Sequence, residues 1–139
     1  MGVAGIWYNE LGSRMTIEIQ PDGSLSGSYA SGVGSSGTMP LSGRYDPTYS
    51  PGNGGQNCGW VVEWNSGPRA VDRLTSWSGQ YFPGFNTIVA MWHMTAETTT
   101  QGQWESTFDG KDVFYSAQRT DEQIAEARVH VAPSHPHRE

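Results

Sequence analysis

The chain has 139 residues, a formal net charge of −6 and a pI near 5.1, which fits one domain with a core of its own. The negative charge and the lack of a basic cluster argue against nucleic acid or an anionic membrane as partners, and no apolar run approaches the roughly 20 residues that span a bilayer. The first residues, MGVAGIWYN, lack the charged and apolar regions of a secretory signal, so we expect a cytoplasmic chain or a mature exported one.

The composition is typical of a β-protein. The chain contains 18 glycines, 6 tryptophans and 6 tyrosines, and its charged residues amount to 16%. Glycine favours turns, whereas aromatic residues favour strands. The aromatic excess fits a core, a sugar-binding surface or a small-molecule cavity. The lone Cys58 excludes a disulfide within the chain and leaves open a bridge between chains.

Segments of alternating polarity begin near the amino end. The first strand is predicted over Trp7–Ser13, where alternation places Asn9, Leu11 and Ser13 on one face. The segments RMTIEIQ and SLSGSYAS then flank a turn at Pro21–Gly23. The glycine- and serine-rich stretch Ser31–Gly37 is predicted to be a mobile loop.

The alternation continues to Arg119. Further strands are predicted in TMPLSGRYD, CGWVVEW, RLTSWSGQYF and NTIVAMWHMT, and a terminal hairpin is predicted with its turn at Asp109–Gly110. About eight strands with short connections favour an up-and-down antiparallel barrel over residues 1–118, with a β-sandwich as the alternative. In the tail, residues 119–139, a helix is predicted from Thr120 with Gln123 as its capping-box partner, and APSHPHRE is predicted to be disordered.

The sequence lacks the common catalytic motifs. It has no G-x-S-x-G, H-E-x-x-H or P-loop pattern, which predicts that the protein is not an enzyme. Asp109 and Asp112 resemble a carboxylate pair, although solvated acids beside a turn are the commoner reason for that spacing. The histidines of the tail are not expected to lie on a rigid element that could bring them together around a metal ion, so we expect no metal site. We expect His93, on the strand face opposite Trp92, to be exposed.

Several polar residues share strand faces with residues predicted to point inward. Asn9 and Ser13 flank Leu11, and each of the following also accompanies an apolar side chain: Tyr29, Ser31, Thr75 and Asp112. An unsatisfied buried polar group costs roughly 1–3 kcal/mol, so a barrel filled only by packing would not contain them. Either they bond to one another and to water, or they bind a polar ligand; the pattern favours neither.

Five motifs together resemble one known family. GIWYNELGS, GRYD, GWVVEWN, TSWSGQY and GKDVF follow, in order and at similar spacing, the motifs of the avidin/streptavidin family. The resemblance runs from about Gly5 to Gln118. It implies an eight-stranded barrel that binds biotin without catalysis and without a cofactor, and it implies export to the periplasm or the exterior.

The resemblance also implies roles for individual residues. The donors to the ureido oxygen of biotin would be Asn9, Ser13 and Tyr29, and the acceptors of its N–H groups would be Ser31 and Asp112. Thr75 would face the thioether sulfur. The rings that wall the ligand would be Trp64, Trp77 and Trp92. Trp104 would be lent to a neighbouring subunit, and Ser35 lies in the loop whose backbone amide meets the biotin carboxylate.

Three departures from the family pattern concern the open end of the barrel and the assembly. Ser35 stands where the family has an asparagine, a change that we expect its backbone amide contact to survive. Arg73 stands where streptavidin-like chains have a serine that bonds the carboxylate, so we expect Arg73 to pair with that carboxylate or to fold back onto Asp72. The exchange of Trp104 implies a homotetramer. Met91, Asp109 and Lys111 stand at positions that help to seal one interface in the family. They form a more charged set there, which predicts loosening to dimers.

Two other functions remain open on sequence alone. A carbohydrate-binding module would use exposed, coplanar tryptophan rings on a β-fold. A hydrolase would use Asp109 and Asp112 as its acid and base.

Overall fold

The computed structural model describes residues 2–32, 37–50, 52, 54–64, 73–97, 107–118 and 120–131. Within these residues eight strands form a closed antiparallel barrel in chain order. They are β1 (Gly5–Asn9), β2 (Arg14–Ile19), β3 (Ser24–Ala30), β4 (Thr38–Tyr45), β5 (Gln56–Trp64), β6 (Arg73–Phe82), β7 (Thr87–Ala96) and β8 (Thr107–Tyr115). A helix, α1 (Asp121–Val131), follows the barrel. The predicted barrel is confirmed, and the sandwich alternative is wrong.

The first predicted strand is too long. β1 ends at Asn9, and residues 10–12 form a tight turn before β2. Gly12 adopts a φ of +89°, a left-handed conformation that favours glycine and interrupts the extended backbone. Leu11 therefore belongs to a turn and not to a strand, although its side chain is buried at 2% exposure.

The predicted terminal hairpin is wrong as well. β8 runs without a turn through Asp109 and Gly110, and its register with β7 is continuous from Thr107 to Tyr115. Pairing along the whole of β7 outweighs the local preference of the Asp-Gly pair for a turn. Most of the segment GQWESTF, and the tail from residue 132, lie outside the described residues.

One cross-strand row of tryptophans runs across three neighbouring strands. Trp60, Trp77 and Trp92 stand directly opposite one another on β5, β6 and β7. Glycines end this row, Gly43 opposite Trp60 and Gly110 opposite Trp92. A side chain on Gly43 would overlap the carbonyl oxygen of Gly59. Glycine there lets β4 approach β5 closely, and three indoles fill the space on the inner side.

The inward faces form one core, and the outer faces remain partly apolar. The core includes residues from every strand, and Cys58 belongs to it at 6% exposure. Burial raises the pKa of the Cys58 thiol to about 12, which disfavours a bridge to another chain. Outside, three apolar side chains on β5–β7 are at least 40% exposed: Val61, Leu74 and Met91. No helix in the described part of the chain is long and apolar enough to cross a membrane.

Candidate ligand-binding site

The turn after β1 is built around the side chain of Asn9. Its Oδ1 accepts hydrogen bonds from the backbone N–H groups of Leu11 (3.0 Å) and Ser13 (2.8 Å). The two backbones also pair, because Asn9 N donates to Ser13 O at 3.1 Å. With the oxygen held by the turn, the amide nitrogen is directed to the hydroxyl of Tyr29 at 3.4 Å. That distance is long for an N–H···O bond.

Tyr29 and Ser13 bring two hydroxyl groups to the same place. The Ser13 hydroxyl lies beside that of Tyr29 and accepts the backbone N–H of Gly32 at 2.9 Å. Burial, and to a smaller degree the nearby Asp112 carboxylate, raise the pKa of Tyr29 well above its ordinary value. The phenol is therefore protonated at neutral pH and can donate a hydrogen bond.

A buried carboxyl group completes this set, which we call the polar cluster: Asn9, Ser13, Tyr29 and Asp112. All four residues are at most 1% exposed. Asp112 Oδ2 accepts the indole N–H of Trp77 at 3.0 Å. Burial raises the pKa of Asp112 to about 7; the bond from Trp77 opposes this shift, and the charge of Glu10 adds to it.

Aromatic rings surround the polar cluster. Tyr29 lies 5.1 Å from Trp77 and 5.5 Å from Trp64 between ring centroids. Trp64 donates its indole N–H to the hydroxyl of Thr75 at 2.9 Å. Trp92, opposite Trp77, is fully buried. Its indole N–H has no hydrogen-bond partner among the described residues, and such a donor is costly to leave unsatisfied.

The remaining predicted site residues lie at or beyond the edge of this region. Ser31, just after β3, and Arg73, the first residue of β6, are both half-buried. Arg73 stands opposite Trp64 and Ala96 in the sheet, two residues before Thr75 on the same strand face. Ser35 and Trp104 lie outside the described residues.

The geometry disfavours the two other functions considered from the sequence. Asp109 is exposed whereas Asp112 is buried, because residues three apart on a continuous strand point to opposite faces. They cannot act as an acid–base pair on one substrate. The five tryptophans in the described part of the chain are at most 3% exposed, so none of them offers a surface platform for a sugar.

Sequence reasoning missed two contributors to the site. Trp60 stacks on Trp77, with ring centroids 5.7 Å apart and an interplanar angle of 19°. Its place on the inner face of β5 follows from the same alternation that selected Trp64. The effect of Glu10 on Asp112 depends on how the turn folds, and no sequence pattern signals it.

The raised pKa of Asp112 predicts a pH-dependent stability. The folded chain holds a proton on Asp112 up to about pH 7, whereas the unfolded chain loses it near the ordinary value of 3.8. The contribution of Asp112 to stability therefore falls as pH rises between those values. Relative to Asp112→Asn, we expect the ligand-free wild type to lose on the order of 1 kcal/mol of unfolding free energy per pH unit from pH 5 to 7. Denaturant unfolding of both proteins measures the difference, and parallel pH profiles would contradict it.

Comparison with known protein families agrees with the resemblance seen in the sequence. A family model described as the Avidin family matches residues 1–117. The match spans all eight strands and ends before α1. The family binds biotin, is not enzymatic and is generally extracellular. Because the match covers most of the chain and the barrel has the expected topology, this chain belongs to the Avidin family.

Proposed function

We propose that this chain binds biotin non-covalently and unchanged, with the ureido ring of the ligand against the polar cluster. The observation that carries the proposal is the burial of a carboxyl group, two hydroxyls and an amide together, walled by indoles. These groups partly satisfy one another, yet the Asn9–Tyr29 contact is long and Asp112 is strongly desolvated. A cyclic urea offers one acceptor and two donors, which complement the donor groups and the carboxylate of this cluster.

The ureido oxygen would accept bonds from Asn9, Ser13 and Tyr29. Three donors aimed at one carbonyl favour negative charge on its oxygen, as in an oxyanion hole. The ureido nitrogens then become better donors, one to Ser31 and one to Asp112. A donor beside Asp112 favours its ionised form, and a charge-assisted bond is roughly twice as strong as a neutral one.

The apolar parts of biotin would lie between indoles. Trp64, Trp77 and Trp92 are within the barrel beside the polar cluster, and Thr75 would face the thioether sulfur. An aromatic residue buries about 150–250 Å², so three rings supply a large apolar contact. A barrel closed by hydrogen bonds loses little entropy on binding, which leaves most of that gain as affinity.

Arg73 and Ser35 would meet the biotin carboxylate at the mouth. The support for Arg73 is its strand position, on the inner face of β6 beyond Thr75. A guanidinium there is half-buried, so its attraction to a carboxylate is less screened than that of a surface pair. Asp72, its other potential partner, lies outside the described residues.

We propose that the chain is exported and forms a homotetramer. The tetramer would dissociate partly into dimers. Trp104 would complete the site of a neighbouring subunit. The exposed side chains of Val61, Leu74 and Met91 support burial of this outer face against another copy. Asp109 and Lys111, also exposed, would weaken one of the contacts.

Free biotin should stabilise the folded chain strongly. A ligand that binds only the folded state at a thousand times its Kd contributes about 4 kcal/mol, so we expect the melting temperature to rise by more than about 10 °C. Asp112→Asn should weaken binding by about ten- to hundredfold, because it removes a charged acceptor. Asp109→Asn, the matched change on the outer face, should leave affinity within about twofold. A wild-type melting curve unmoved by excess biotin would refute the proposed function.

Arg73→Ala tests the pairing at the mouth. We expect the variant to bind biotin more weakly and with less dependence on salt, because a charge–charge contact is lost. Its affinity for biotinamide, which has no carboxylate, should be unchanged. Arg44→Ala is the control, since Arg44 is exposed and donates to the backbone oxygen of Asp22. Titration calorimetry at two salt concentrations measures all three proteins. Unchanged biotin affinity and salt dependence in Arg73→Ala would disprove the pairing.

Light scattering tests the assembly. With biotin we expect a particle of about four times the 15.2 kDa chain mass, and without biotin a smaller average mass as tetramers separate into dimers. A monomer under both conditions would refute this proposal.

A further inference from the structure

The helix α1 rests on the turn that carries Asn9 and Ser13. A Cβ atom placed on Gly12 would lie 3.1 Å from Cδ1 of Ile124 and 3.7 Å from its Cγ1 and Cγ2. The Ile124 side chain therefore packs directly over the Gly12 backbone. From residue 121 to 127, Ile124 and Ala127 are the partly buried positions and the others are exposed. Their spacing of three places them on one face of the helix.

The start of α1 is fixed by its own hydrogen bonds. Thr120 N donates to the side chain of Gln123 at 2.9 Å, and Gln123 N donates to the hydroxyl of Thr120 at 3.2 Å. Together these bonds form a capping box. The first helical bond, from Ile124 N to Thr120 O at 3.0 Å, follows at once. The capping box thus fixes where the helix begins, with the capping residue four positions before Ile124.

The turn beneath Ile124 controls two members of the polar cluster. Gly12 lies between the two amides, those of Leu11 and Ser13, that bond Asn9 Oδ1, and it donates to Asn9 O at 3.3 Å. Gly12 has no side chain with which to anchor itself, and its φ of +89° would strain most other residues. Ile124 supplies the missing apolar cover from outside the barrel.

We propose that α1 is a positioning element of the binding site, in which Ile124 holds the turn so that Asn9 and Ser13 stay directed at the bound ligand. This inference rests on the proposed function, because the ligand is taken to be biotin. Ile124 acts through Gly12, and its contribution is to slow the departure of the ligand. A site whose donors are held in place loses less entropy on binding and releases its ligand more slowly.

Ile124→Ala separates this role from the folding of the helix. Alanine is a better helix former than isoleucine, so α1 persists while the cover over Gly12 is lost. We expect amide hydrogen exchange at Leu11 and Ser13 to accelerate by about three- to tenfold in the ligand-free protein. Biotin dissociation, followed by displacement of labelled biotin, should accelerate by a similar factor. Glu126→Ala, an exposed change on the same helix, should alter neither rate, and Ile124→Leu should restore both.

A double-mutant cycle shows whether the effect passes through the turn. Ile124→Ala should be non-additive with Asn9→Ala in biotin dissociation, because Asn9 is the group that the turn positions. It should be additive with Thr75→Val, a change on β6. Unchanged dissociation in Ile124→Ala, an equal effect of Glu126→Ala, or additivity with Asn9→Ala would overturn the inference. If wild-type protein binds no biotin, the proposed function fails, and the exchange rates of Leu11 and Ser13 still decide whether Ile124 holds the turn.

Discussion

The need to satisfy a carboxyl group buried inside a β-barrel governs the functional end of this molecule. Asp112 is buried, which raises its pKa, and the bond from Trp77 and the nearby Asn9 side chain oppose that rise. Each of those partners must be held in turn. The row of indoles fixes Trp77, and the turn after β1 fixes Asn9 through its oxygen. The position of Asp112 thus depends on its neighbours, and their positions depend on the indole row and on the turn.

The same constraint explains why the polar groups sit within the core without disrupting it. Asn9 uses its oxygen to close a turn and its nitrogen to reach Tyr29, so one side chain serves both the fold and the site. Hydrogen bonds at both ends of its amide hold Asn9 in one rotamer. A side chain that is already ordered loses little conformational entropy when a ligand binds. Stability and recognition therefore depend on the same hydrogen bonds.

Much of this could be predicted from the sequence, where alternation and turn residues were informative. Period-two patterns placed Trp64, Thr75, Trp77 and Trp92 on inner faces, and the number of segments indicated a barrel. Local signals failed where long-range pairing decides the outcome: the Asp109–Gly110 pair has turn chemistry, but β7 extends it into a strand.

Near the amino end the opposite happens: a strand is predicted where the chain forms a turn. Alternation extends β1 past Asn9 because a period-two pattern does not register that an asparagine side chain can accept backbone hydrogen bonds and form a turn. The pKa of Asp112 was also beyond sequence reasoning, since it depends on burial and on the distance to Glu10.

The closure between the first and last strands has a consequence of its own. β1 meets β8 through two register pairs, Tyr8 with Tyr115 and Asn9 with Phe114, whereas every other neighbouring pair of strands shares at least four. This is the seam of the cylinder, and Asn9 and Asp112 stand on its two sides. A small molecule bonded to both residues would link β1 to β8 where the fewest residues pair. The barrel could then open between these strands only after the ligand had dissociated.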